Sequence, residues 1–168
     1  MNKQHVRLAI APIGWTNDDM PELGSENTFQ QTVSEMALRA LPAAKWQQIP
    51  ARSGHSETDA GYPRYRICNA WFSTFFAAGE REKTLDEFVN HMNFLHAMGA
   101  KVIGCSEQSG SIQCTTLPVM GPDKPCFSEE EWARVAEGYN TLGRLAAEKG
   151  CRSVCITTWA PAFRPRRR

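Results

Sequence analysis

Hydrophobic and polar positions alternate in blocks along this chain. Leu8 to Trp15 is a continuous apolar run ended by Thr16-Asn17-Asp18-Asp19, which suits a strand buried on both faces. A helix is expected from Asn27 or Thr28 to about Leu38, with Phe29, Val33, Met36 and Ala37 on one side. Ile67 to Phe72 reads as a second strand. Thr84 with Glu87 matches a capping box before a helix bearing Leu85, Phe88, Val89, Met92, Leu95 and His96, which stops at Gly99. Lys101 to Cys105 is the next strand. Ser128 with Glu131 is a second capping box, before Trp132, Val135, Ala136, Tyr139, Leu142 and Ala146 at helical spacing. Val154 to Thr157 could form one more strand.

Strands and helices in alternation predict an α/β protein with a parallel sheet and helices outside, doubly wound or barrel-like. In such folds ligands bind at the carboxyl ends of the strands. The segment Val102 to Gln113 is the sharpest example: an apolar run opens into Ser106-Glu107-Gln108-Ser109-Gly110, placing Ser106, Glu107 and Gln108 at a cleft. A plain polar loop is the alternative. Two stretches break the pattern. Residues 39–66 have no sustained period and carry Pro42, Pro50, Gly54, Gly61 and Pro63, while residues 159–168 resemble neither helix nor strand.

Composition adds limits. Of the 168 residues, 42% are hydrophobic and 22% charged, ordinary for a folded domain. The formal net charge of +1 gives no broad basic field, so neither nucleic acid nor an anionic membrane is the expected partner. Arg164, Arg166, Arg167 and Arg168 lack interleaved aromatics. Six cysteines form no C-x-x-C pair and follow no signal peptide, so free thiols in a reducing cytoplasm are expected.

Three motifs narrow the reading: Ile-Ala-Pro-Ile-Gly-Trp-Thr-Asn-Asp-Asp from Ile10, Ile-Cys-Asn-Ala-Trp-Phe-Ser-Thr-Phe-Phe from Ile67, and His-Ala-Met-Gly-Ala-Lys-Val-Ile-Gly-Cys-Ser-Glu-Gln-Ser-Gly from His96. In this order they resemble the inosose dehydratases of inositol catabolism. The resemblance implies a (β/α)8 TIM barrel of the xylose-isomerase-like superfamily. It also implies a lyase that removes water from 2-keto-myo-inositol to give a trihydroxycyclohexane-1,2-dione, with cobalt or manganese as divalent metal, and glutathione. The substrate would be a small polyol ketone; oligomeric state is left open. A sugar isomerase or epimerase of the same superfamily, or a non-catalytic fragment, are the alternatives.

A complete barrel takes about 250 residues, so residues 1–168 are expected to be one partial domain holding about the first half, up to five strands. The family's fifth strand runs into Leu-His-His-His-Met-Gly-Thr-Gly, where this chain has Cys155-Ile156-Thr157-Thr158-Trp159-Ala160-Pro161. Codons compatible with these residues spell the family segment when read one base earlier. Residues 39–66 behave alike: shifted readings give Gly-Phe-Thr-Gly-Ser-Glu-Val and then Ser-Lys-Tyr-Pro-Arg-Asp-Pro. Frame losses near codons 39, 47, 66 and 151 are therefore expected, making 39–66 and 151–168 atypical and disrupting the second β/α unit. A replaced second strand is expected to leave its neighbours without hydrogen-bond partners.

Six residues match strand ends of the family. Glu107 is the catalytic candidate, because a buried carboxylate needs a ligand, metal or cation to offset desolvation. Trp15, Asn17, Asn69, Trp71 and Gln108 are candidates for substrate binding, since a polyol needs amide partners for its hydroxyls and apolar faces for its ring. Structural alternatives stand beside them: Trp15 and Trp71 as core or rim aromatics, and Asn17 as a loop cap. His91 is expected to be exposed and His96 to lie near the buried face, both structural. No metal ligand is assigned, because the family draws its ligands largely from later strands.

Overall fold

A computed structural model describes residues 9–17, 20–38, 43–46, 66–113, 115–118 and 126–156. Its core is a five-stranded, all-parallel sheet in the sequential order β1 to β5: β1 (Ala9–Ile10), β2 (Ala43–Trp46), β3 (Arg66–Thr74), β4 (Val102–Glu107) and β5 (Arg152–Cys155). Helix α1 (Phe29–Leu38) follows β1, α2 (Arg81–Ala97) joins β3 to β4, and α3 (Glu129–Glu148) joins β4 to β5. Consecutive parallel strands joined through helices are consistent with one arc of a (β/α)8 barrel. Among the described residues no helix is long and apolar enough to cross a membrane.

The capping box expected at Ser128 is present. Ser128 Oγ accepts from the Glu131 amide at 3.2 Å and Glu131 Oε2 accepts from the Ser128 amide at 2.7 Å, satisfying two end donors reciprocally. Glu129, Glu130 and Glu131 add negative charge at the positive end of the helix dipole. The face set by Val135, Gly138, Leu142 and Ala146 is buried against the sheet. Helix α1 starts where expected, with Thr28 Oγ1 accepting from the Gln31 amide at 3.1 Å.

Several expectations are corrected. Helix α2 begins at Arg81, not at Thr84: the Thr84 amide already donates to Glu80 O at 3.0 Å, so the first turn is complete there and Thr84 is a buried interior residue. The run after Ala9 is a strand only to Ile10 and then turns into a short 3-10 helix over Pro12–Gly14. Pro12 has no amide hydrogen for a ladder and presets the helical φ. Ala9 and Ile10 are exposed rather than buried on both faces, and Leu8 lies outside the described residues. The last strand lies two residues earlier than expected, and Thr157 lies outside the described residues.

The expectation that β1 and β3 lack a partner between them is also overturned. Ala43–Trp46, inside the aperiodic stretch, pairs on one side with β1 and on the other with β3, with a register shift between Ala44 and Lys45. Residues 47–65 lie outside the described residues. The two histidines exchange roles. His96 is exposed, whereas His91 is half-buried with its ring 5.5 Å from that of Phe72. Burial holds the His91 pKa below its ordinary value.

Among the described residues an apolar core occupies the space between α2, α3 and the strands β3 and β4. It comprises Ala70 and Phe72 from β3, Phe88, Met92 and Leu95 from α2, Ile103 and Cys105 from β4, and Val135, Leu142 and Ala146 from α3, with others around them. Phe72 meets Phe88 edge-on, ring centroids 5.3 Å apart.

Candidate functional site at the carboxyl ends of strands β3 and β4

Side chains on a strand alternate between faces. On β3, Ala70, Phe72 and Thr74 are buried on the helix side, leaving Asn69, Trp71 and Ser73, each half-buried, on the opposite face. On β4, Ile103 and Cys105 belong to the core, so Glu107 shares the helix side while Gly104 and Ser106 share the opposite face. Ser106 and Glu107 therefore cannot both face one cleft. The pleat that separates them was already legible in the sequence as the apolar alternation of Ile103 and Cys105.

Glu107 is fully buried, and four donors converge on its carboxyl group. Thr74 Oγ1 donates to Oε2 at 2.8 Å, as does the Phe76 amide at 3.1 Å. The Ser109 amide donates to Oε1 at 3.2 Å, and the Ala77 amide at 3.4 Å. The compensation that burial of a carboxylate requires thus comes from the chain's own backbone and one hydroxyl. The result is a clamp joining the loop after β3 to the loop after β4.

Two further bonds reinforce the clamp. Ser109 Oγ accepts from the Ala78 amide at 3.0 Å, and Arg134 Nη2 donates to Ala77 O at 2.7 Å from α3. Helix α3 comes close enough because residue 138 is glycine: a Cβ there would stand 2.4 Å from Phe76 Cγ. Tyr139, next to it, packs its ring on Phe76 and places its hydroxyl 3.2 Å from Thr74 Oγ1. The single hydroxyl proton of Thr74 goes to Glu107, so Tyr139 donates to Thr74 and the bonds run one way, from Tyr139 through Thr74 to Glu107. Burial pushes the Tyr139 pKa well above the usual tyrosine range.

The face opposite the helices holds polar groups of another kind. Asn69 Oδ1 accepts from the Gly104 amide at 2.8 Å, which fixes the side chain and directs its NH2 group elsewhere. Trp71 Nε1 donates to Ser73 Oγ at 3.1 Å, holding the indole along the strand. Ser106 is fully buried and its hydroxyl finds no hydrogen-bond partner among the described residues. Thr74 and Tyr139 carried no site signal in the sequence, where Tyr139 stood only on the helical spacing of α3; their roles arise from pairing across 33 and 65 residues.

The remaining candidates follow β1 and β4. Trp15 Nε1 donates to Glu35 Oε2 at 2.7 Å, tying the β1 loop to α1 and lowering the Glu35 pKa, with a smaller contribution from Gln31. Trp15 O accepts from Asn27 Nδ2 at 2.7 Å. Asn17 Oδ1 accepts from the Met20 amide at 3.2 Å, the capping geometry anticipated for it. Gln108 is half-buried, its amide donating to Thr74 O at 2.8 Å. Asn69 and Trp71 thus share a face with Ser106, whereas Trp15 and Asn17 are anchored in their own loop and Glu107 lies behind the sheet.

No family model matches the chain. Individual proteins do. It is 66% identical to an inosose dehydratase of Klebsiella pneumoniae subsp. pneumoniae across 93% of this chain and 52% of that protein. It is 59% identical to the inosose dehydratase of Serratia proteamaculans over the same shares, and 47% identical to that of Bacillus anthracis across 89% of this chain and 50% of that protein. The chain is homologous to about half of an inosose dehydratase. It therefore spans about half the length of the curated relatives it matches.

Proposed function

We propose that this chain supplies the first strands of a (β/α)8 barrel whose intact form is an inosose dehydratase, a hydro-lyase removing water from 2-keto-myo-inositol to give a trihydroxycyclohexane-1,2-dione. The observation that carries this is the 66% identity across 93% of the chain. The reaction belongs to cytoplasmic inositol catabolism, and cobalt or manganese together with glutathione would serve the intact enzyme. A divalent metal would polarise the substrate ketone. Among the described residues no three of His, Cys, Asp and Glu stand together as ligands, and both oxygens of Glu107 are committed to internal donors, so these residues do not fit that metal.

Within the site, Asn69 and Gln108 would bind hydroxyls through their amides, and Trp71 and Trp15 would offer apolar faces to the ring carbons, with Asn17 at the rim. Glu107 acts as a positioning residue, setting the two loops that flank this face. The unpartnered Ser106 hydroxyl supports a ligand on the same face. The chain alone is inactive. Residues 39–66 and the tail from 151 are out of frame, a reading supported by the Klebsiella alignment, which is longer than the chain segment it takes in and so carries gaps.

The test is a turnover assay of the purified 168-residue chain with the keto-inositol and added cobalt or manganese, with an intact relative as positive control. No dione above the protein-free rate is expected, and equilibrium dialysis is expected to find no retained metal. Metal-dependent dione formation by this chain would contradict its inactivity; interconversion of ketose and aldose would instead favour a sugar isomerase. A DNA read across codons 36 to 168 checks the frame.

A further inference from the structure

We propose that Cys105 and Cys155 form a redox-coupled pair that closes to a disulfide joining β4 to its neighbour β5. The two residues are direct register partners on adjacent parallel strands, so they stand side by side on the same face of the sheet. Neighbouring strands lie about 4.7–4.9 Å apart, inside the Cα separation of about 4.4–6.8 Å that a disulfide spans. Both thiols lie toward α3. Cys105 belongs to the core that Tyr139 of α3 packs against, and Cys155 shares its face of the sheet.

Their surroundings assign different parts to the two sulfurs. Cys155 is exposed, while Cys105 has no accessible surface and burial, followed by the neighbouring Cys155, pushes its thiol up to about 12. A small organic disulfide therefore meets Cys155 first. The Cys155 thiolate attacks one reagent sulfur, forming a mixed disulfide and expelling one thiolate. Cys105 then attacks Cys155 Sγ, its proton passing to the departing second thiolate, which leaves as the thiol. The pair loses two electrons, and the reagent is reduced to two thiols.

The other described cysteines are poorly placed to compete. Cys151 lies four residues before Cys155 along extended chain, about 13 Å at the usual rise per residue. Cys68 is on β3, and Cys126 precedes α3.

The experiment exposes the folded full chain to hydroxyethyl disulfide and maps its peptides without reduction. The expected product is one cross-linked species joining the peptides that contain Cys105 and Cys155, without bound reagent. In Cys155→Ser, oxidation of Cys105 should slow by at least about tenfold, because the exposed attacking thiol is gone. In Cys105→Ser, reagent should stay attached to Cys155. A wild-type chain that keeps reagent on Cys155 with Cys105 still free after prolonged incubation overturns the proposal, as does a cross-link of Cys155 to any other cysteine.

Discussion

Strand β3 runs in register with β4 from Asn69 opposite Val102 to Thr74 opposite Glu107, whereas among the described residues β1 meets β2 through Ala9 and Ile10 alone. The first region is backed by α2 and α3, and among the described residues the apolar cluster is built from it and from Cys151 just before β5, with no member from β1 or α1. Helix α1 buries Thr32, Val33 and Met36, yet the strand before it is exposed on its surface. In one parallel sheet, backbone pairing is therefore continuous while side-chain burial is not. The lesson is that the loops at the carboxyl ends of β3 and β4 stand on a packed platform, and those after β1 rest on local hydrogen bonds.

Substitutions can break or sharpen this contrast. Phe88→Ala, in the centre of the platform, should cost about 3–5 kcal/mol in a denaturant titration, the range for removing a buried aromatic. Glu107→Gln should cost about 2–3 kcal/mol, because one carboxyl oxygen becomes an NH2 group facing two donors that then lack an acceptor. Ser128→Ala should cost about 1 kcal/mol through the lost cap of α3. Ile10→Ala, at a side chain 37% exposed on β1, should stay within about 0.5 kcal/mol. A loss at Ile10 as large as at Phe88 would erase the distinction between the two regions.

His91 supplies a pH counterpart within the platform. Its folded pKa lies below the ordinary 6.5 because burial disfavours the charged ring, so the unfolded chain binds its proton first. Above 6.5 the residue has no effect on stability; as pH falls through 6.5 toward the folded value, stability is lost. Thermal melts of His91→Phe should show a shallower decline in that window than the parent chain. An unchanged decline would assign the effect to other groups.

Much of the platform was legible in the sequence, because its signals are local. The Ser128 and Glu131 box and the spacing of Val135, Leu142 and Ala146 specify α3 with no help from elsewhere. The misplaced start of α2 has the opposite origin: Thr84 and Glu87 satisfy a capping pattern, but a turn already formed over Arg81 makes the pattern irrelevant. Ala43-Ala44-Lys45-Trp46 carries neither period, and it becomes a strand through backbone pairing on both sides. At the site, Asn69, Trp71 and Ser106 could be placed on one face by alternation alone. The encirclement of Glu107 could not, since its donors come from Thr74, Phe76 and Ala77, around thirty residues earlier.

Hydrogen exchange tests the central claim, that Glu107 locks the loops of a packed platform from behind the sheet. The amides of Phe76, Ala77 and Ser109 belong to loops, yet they should exchange as slowly as those in the middle of β3 and β4, and Glu107→Ala, which removes both acceptor oxygens, should release all three while leaving the amides of Ile103 and Cys105 protected. Fast exchange at Phe76, Ala77 and Ser109 in the parent chain, or the same slow exchange after substitution, would contradict it.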